Sequence, residues 1–135
     1  MHCQVISAVR EAVGPDFLVA LRLGACDYQE GGSTQADAVA ACKIFEAAGI
    51  DLLDISGGLC GYRGDGSKIP GYFGNESQAI REAVSVPVIL TGGVRTGLAA
   101  ETLLEEGKAD LIGVGRSVLK DSSWAKKAFV ELGIE

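Results

Sequence analysis

The feature that most constrains the fold is a pair of glycine-marked turns, each following a short apolar run. Val86–Leu90 leads into Thr91-Gly92-Gly93, and Ala109–Val114 leads into Gly115-Arg116. A helical pattern follows each turn, so each run is predicted to be the strand of a parallel βα unit. Bare backbone N–H groups at two successive strand ends, with an arginine beside them, favour an anion. In (β/α)8 barrels the loops after the last two strands commonly bind a phosphate in this way.

The length of the chain limits how much of such a barrel it contains. A complete barrel needs about 250 residues, and this chain has 135. We therefore expect one domain, residues 1–135, that forms part of a barrel. No apolar run approaches the roughly 20 residues of a membrane span, and the N-terminus lacks the features of a signal peptide. We expect a cytoplasmic protein without a membrane partner.

Charge and cysteine usage exclude two further classes of function. The formal net charge of −6 argues against a nucleic-acid partner, because phosphate contacts need clustered lysine and arginine. The four cysteines, Cys3, Cys26, Cys42 and Cys60, are far apart, and the chain has one histidine. This spacing predicts no metal site. Cys42 lies in a helical pattern and is expected to be a small core residue.

Periodicity predicts a leading helix and then four βα units. The predicted strands are Phe17–Leu23, Asp51–Ser56, Val86–Leu90 and Ala109–Val114. The predicted helices are Gln4–Val13, Thr34 to about Ala48, Asn75–Val84, Leu98–Glu106, and one or two within Ser117–Leu132. Thr34 and Asp37 resemble a capping box, and Asn75 is the expected N-cap of its helix. Because the strands are apolar on both faces, we expect a parallel sheet covered by helices.

Arg22, near the end of the first predicted strand, has two interpretations. Alternation places it on the same face as Leu18 and Ala20, and places Asp54 on the same face of the next strand as Leu52. In the first interpretation Arg22 and Asp54 form a structural ion pair, since a buried charge needs a partner. In the second, the guanidinium is directed at an electron-rich ligand group. The two are compatible, because a carboxylate can orient the arginine.

Arg116 and the loop Gly57–Gly74 are also candidates for ligand binding. An arginine at a helix start is unfavourable against the helix dipole unless an anion is present, which favours phosphate over an idle, solvated side chain. The loop is long for a barrel connection, and loops of that length are often functional. Its aromatic and basic side chains either cover a ligand or pack the loop, and both interpretations stay open. These side chains are Tyr62, Arg63, Tyr72 and Phe73.

Five motifs, taken in order, resemble the second half of the old yellow enzyme family. They are Phe17–Leu23, Gly49–Gly58, Pro70-Gly71-Tyr72, Val88–Gly93 and Ala109–Arg116. Members of that family are NAD(P)H:flavin oxidoreductases, which are FMN-containing barrels that reduce activated C=C bonds. The resemblance covers nearly the whole chain. It implies an α/β fold of parallel (β/α) units that form the C-terminal half of a TIM barrel, strands five to eight.

The resemblance also implies roles for individual residues. Arg22 would contact the flavin pyrimidine edge near N1, where reduction places negative charge. The residues that would hold the FMN phosphate are Gly92, Gly93, Gly115 and Arg116. The family's first four strands, which carry the substrate-binding and proton-donating residues, have no counterpart here. His2 lies in the leading helix and cannot replace them, so no catalytic residue is assigned.

We therefore expect the FMN-binding half of an ene-reductase, which transfers hydride from NAD(P)H through FMN to a small-molecule acceptor. The chain alone is expected to be inactive, so the question whether it is an enzyme by itself is left open. One alternative is another phosphate-binding barrel half, such as one for sugar phosphates. Another is a non-catalytic truncated product or a subunit that completes another chain. An open inner face with unpaired edges predicts self-association or a missing N-terminal half. The residues expected on this open inner face are Leu18, Ala20, Leu52, Val88 and Leu90.

Overall fold

A computed structural model describes residues 1–58 and 69–134. In chain order, the elements are α1 (His2–Val13), β1 (Ala20–Gly24), α2 (Gln35–Ala47), β2 (Leu52–Ser56), α3 (Gly74–Arg81), β3 (Val88–Thr91), α4 (Gly97–Glu105), β4 (Leu111–Gly113), α5 (Arg116–Lys120) and α6 (Trp124–Glu131). The strands form one parallel sheet in the order β1-β2-β3-β4. This is the predicted arrangement of successive βα units. The predictions for Cys60, Tyr62 and Arg63 lie outside the described residues.

Threonine side chains cap the starts of two helices, α2 at Thr34 and α4 at Thr96. The Thr34 side chain accepts the backbone N–H of Asp37, and the Asp37 carboxylate accepts the backbone N–H of Thr34. The predicted capping box is therefore confirmed. Hydrogen bonds to the Asp37 carboxylate from the Thr34 hydroxyl and from the Thr34 N–H lower the pKa of Asp37. The prediction for Asn75 is wrong, because α3 already begins at Gly74. A tight turn, in which the Gly74 N–H donates to the Gly71 carbonyl at 2.7 Å, starts that helix early.

The first strand begins later than the apolar run predicts. Pairing with β2 starts at Ala20, opposite Leu52, and the side chains of Phe17 and Leu18 before it are 62% exposed. The Arg10 guanidinium instead binds the Phe17 carbonyl at 2.6 Å. An apolar run alone does not show where pairing begins, because that depends on where the neighbouring strand starts.

Helices cover one face of the sheet. Leu53, Ile55, Val88 and Leu90 are fully buried on this face and belong to clusters that include side chains of the helices. Cys42 of α2 is also fully buried, as expected, and burial raises the pKa of its thiol to about 11. Among the described helices, none is long and apolar enough to cross a membrane.

The opposite face, here called the open face, carries Ala20, Leu52, Ile89 and Leu111. These residues are half-buried or exposed, and none belongs to a buried cluster of the described chain. The prediction that Val88 and Leu90 lie on this face is wrong. The register pairs them with Leu53 and Ile55, and side chains paired in this way share one face of a parallel sheet. Ile89 and Thr91 take their place on the open face.

Candidate functional site

The carboxyl ends of the strands surround an open cleft of about 730 Å³. All five residues predicted to bind a cofactor line it, namely Arg22, Gly92, Gly93, Gly115 and Arg116. The other lining residues are Tyr72, Thr91, Val94, Arg95 and Gly113. The topology explains this grouping, because parallel neighbours bring all their carboxyl ends to one edge of the sheet. The identity of a ligand for this cleft stays a prediction.

Backbone donors are available along one side of the cleft. Within residues 1–58 and 69–134, the N–H groups of Gly92, Gly93, Gly115 and Arg116 donate no hydrogen bond. A Cβ added to Gly115 would meet nothing within 4 Å, so the described protein gives no steric reason for glycine there. Close approach of a ligand to the backbone would give one. Unused N–H donors beside open backbone fit a phosphate group.

The glycine pair at the end of β3 also has a packing explanation. A Cβ added to Gly92 would lie 3.0 Å from the ring of Tyr72, and one added to Gly93 would lie 2.7 Å from it. Gly93 also has a φ of +69°, in the left-handed region that favours glycine. The pair therefore makes room for a tyrosine as well as presenting N–H groups. The packing interpretation of Tyr72 is therefore confirmed, whereas its covering of a ligand stays a prediction.

Arg22 forms the ion pair that one of its two interpretations predicts, and its contact with a ligand stays a prediction. Its Nη1 donates to Asp54 Oδ2 at 2.6 Å, which forms the expected ion pair. The hydroxyl of Thr91 donates to the other oxygen, Asp54 Oδ1, at 2.7 Å. Asp54 is therefore fixed from two sides, and the side chain of Arg22 stays 57% exposed and lines the cleft. The carboxylate thus orients the arginine, and the guanidinium remains accessible from the cleft.

The cleft is electropositive although the whole chain is acidic. Arg22, Arg95 and Arg116 all line it. Among the described residues, Arg95 and Arg116 form no ion pair with a carboxylate. Arg116 donates from Nη2 to the hydroxyl of Tyr72 at 3.2 Å. Sequence reasoning missed Arg95, although its position two residues after Gly93 in the same turn was a usable signal. Two uncompensated guanidinium groups at one cleft favour an anionic ligand.

Comparison with known proteins assigns the family. The sequence model of the NADH:flavin oxidoreductase / NADH oxidase family matches residues 2–134. The chain belongs to this family. It is 35% identical to a metal reductase of Desulforamulus reducens, over 93% of this chain and 19% of that protein. It is 37% identical to an NADPH dehydrogenase of Bacillus licheniformis, over 96% of this chain and 37% of that protein.

Solved structures show the same fold. A 2-naphthoyl-CoA reductase in complex with 2-naphthoyl-CoA matches with a TM-score of 0.85 and 26% identity, over 98% of this chain and 21% of that chain. A morphinone reductase mutant matches with a TM-score of 0.66 and 21% identity, over 98% of this chain and 33% of that chain. The resemblance to the old yellow enzyme family and the predicted (β/α) units of a TIM-barrel C-terminal half are thus confirmed. The chain spans only a fifth to two fifths of these relatives.

Proposed function

We propose that this chain forms the FMN-binding part of an NAD(P)H:flavin oxidoreductase. The observation that carries the proposal is the cleft, where four backbone N–H groups that donate no hydrogen bond to any described residue adjoin the guanidinium of Arg116, which pairs with no described carboxylate. These groups suit the phosphate of FMN, and the family to which the chain belongs supports a flavin as the ligand. When bound, FMN supplies hydride transfer between NAD(P)H and an acceptor.

The chain's own residues would orient the cofactor and complement its charge. Gly92, Gly93, Gly115 and Arg116 would hold the phosphate. Arg22 would face the flavin pyrimidine edge near N1, where reduction places negative charge. Asp54, itself held by the hydroxyl of Thr91, would keep the Arg22 guanidinium in one orientation. A guanidinium prepared in this way loses less conformational freedom when the ligand binds.

We extend the proposal to the reaction of the whole protein. Relatives named NADPH dehydrogenase and NADH oxidase support a nicotinamide nucleotide as reductant. A small molecule with an activated C=C bond is the proposed acceptor, and the cytoplasm is the proposed location. The residues that bind that acceptor and donate a proton to it are proposed to lie in the part of the relatives that the chain does not span. The chain alone is therefore proposed to be inactive.

We propose that the open face is covered by the complementary half of a barrel, with parallel strands of its own. The outer strands of the sheet are β1 and β4, and further parallel strands would pair with their outer edges. Toward the amino ends of the strands the open face is apolar, with Ala20, Leu52, Ile89 and Leu111. An eight-stranded barrel has an interior that side chains just fill, so a half of this kind would bury that layer. The partial-barrel domain, residues 1–135, stays a prediction.

The family match argues against the alternative of a sugar-phosphate barrel half, whereas a non-catalytic role stays open. Titration of the purified chain with FMN and with riboflavin, followed by flavin fluorescence, tests the ligand. We expect FMN to bind more tightly, because riboflavin lacks the phosphate but shares the ring. A colourless protein that binds phosphosugars and neither flavin would refute the proposal.

A further inference from the structure

Tyr72 connects the ends of two strands across the mouth of the cleft. Its ring packs against Gly92 and Gly93, which follow β3. Its hydroxyl accepts a hydrogen bond from Nη2 of Arg116, the first residue after the glycine turn of β4. The tyrosine thus touches the two loops whose N–H groups donate to no acceptor in the described part of the chain. It comes from the connection between β2 and α3, far away in sequence.

The backbone around Tyr72 fixes the position of its ring. The Gly71 N–H donates to the Gly92 carbonyl at 2.7 Å, which joins this segment directly to the end of β3. On the other side, Phe73 is 5% exposed and belongs to the buried cluster that contains Leu90. The rings of Tyr72 and Phe73 meet edge to face, with centroids 4.6 Å apart. A side chain anchored on both sides can hold a flexible neighbour in place.

The kind of acceptor that holds Arg116 matters for anion binding. A carboxylate would order the guanidinium and also offset part of its charge, as Asp54 does for Arg22. A tyrosine hydroxyl is uncharged at neutral pH, so it orders the guanidinium and leaves the positive charge to the ligand. Arginine loses considerable rotamer freedom when it is fixed, and prior ordering reduces that cost at the moment of binding.

We propose that Tyr72 is a positioning residue, which holds Arg116 ready for the phosphate of a flavin mononucleotide and thereby favours phosphorylated over unphosphorylated flavin. This inference rests on the proposed function, since it needs the cleft to bind the phosphate. It adds a residue that acts through Arg116 rather than on the ligand itself.

Tyr72→Phe tests the proposal, because it keeps the ring against Gly92 and Gly93 and removes only the hydroxyl. One ordinary hydrogen bond predicts a loss of FMN affinity of about 2- to 12-fold, with riboflavin affinity and the thermal midpoint unchanged. The matched control is Tyr28→Phe, a tyrosine that stacks on Phe73 but does not line the cleft. It should leave both flavin affinities at the wild-type value.

A double-mutant cycle with Arg116→Ala separates positioning from a general effect on structure. If Tyr72 acts through Arg116, Tyr72→Phe has no further effect on FMN affinity once Arg116 is alanine. Full additivity of the two losses would overturn the inference. So would an unchanged FMN affinity in Tyr72→Phe, or an equal loss for FMN and riboflavin. Equal binding of the two flavins by the wild-type chain would overturn the proposed phosphate site itself, and this inference with it.

Discussion

Replacing Arg116 with alanine should remove most of the preference of this chain for FMN over riboflavin. Among the described residues, no carboxylate competes for the guanidinium, and the N–H groups beside it in the cleft donate no hydrogen bond. A charge-assisted hydrogen bond to a phosphate contributes about 1.5–3 kcal/mol. At roughly 1.4 kcal/mol per factor of ten, the loss of FMN affinity is about 10- to 150-fold. Riboflavin, which has no phosphate, should bind Arg116→Ala and the wild type equally well.

Two further variants show whether the charge or the geometry of the guanidinium is responsible for FMN affinity. Arg116→Lys keeps the charge but cannot present the two parallel N–H donors of a guanidinium, so it should recover only part of the loss. Lys126→Ala removes the same unit of positive charge from an exposed position that does not line the cleft, and should change nothing. Fluorescence titration at low and high salt measures all four proteins. An FMN affinity in Arg116→Ala equal to that of the wild type would refute the reasoning.

Three more predictions concern association, pH dependence and turnover. The chain alone should self-associate through the open face, as measured by sedimentation. Leu111→Asp on that face should reduce the self-association, whereas Val130→Asp, on the exposed surface of α6, should not. A monomeric wild type would contradict the half-barrel interpretation. Hydrogen bonds from the Val19 N–H and from Arg10 lower the pKa of Asp51. Its stabilising contribution is therefore present above the unfolded pKa of about 3.9 and is lost as pH falls through the lower folded pKa. The difference in thermal midpoint between wild type and Asp51→Asn should shrink on acidification. A difference that stays constant with pH would show that the stabilisation does not come from the ionised Asp51 carboxylate. Finally, reduction of an enone with NADPH by the chain alone should stay far below a typical turnover of about 10 s⁻¹, and turnover near that value would contradict the proposed inactivity.

Elements with a strong local signal were predictable from the sequence. Periodicity indicated the leading helix and the four βα units, because the apolar positions of amphipathic helices and of buried strands differ in spacing. The capping box of Thr34 and Asp37 formed as predicted, since both of its hydrogen bonds join residues only three apart. The cleft residues were also predictable as a group. Successive parallel strands bring their carboxyl ends to one edge, so residues such as Arg22 and Arg116 meet there although they are far apart in sequence.

Features that depend on distant contacts were decided only by the tertiary structure. Alternation along β3 could not show whether Val88 or Ile89 faces the helices, because a shift of one residue in register exchanges the two faces. Packing of the helices against Leu53 and Ile55 selected the register that buries Val88. The role of Tyr72 depended in the same way on long-range contacts. Only the folded chain brings its ring onto the glycine pair of β3 and its hydroxyl to Arg116, and the sequence around Tyr72 carries no signal for either contact.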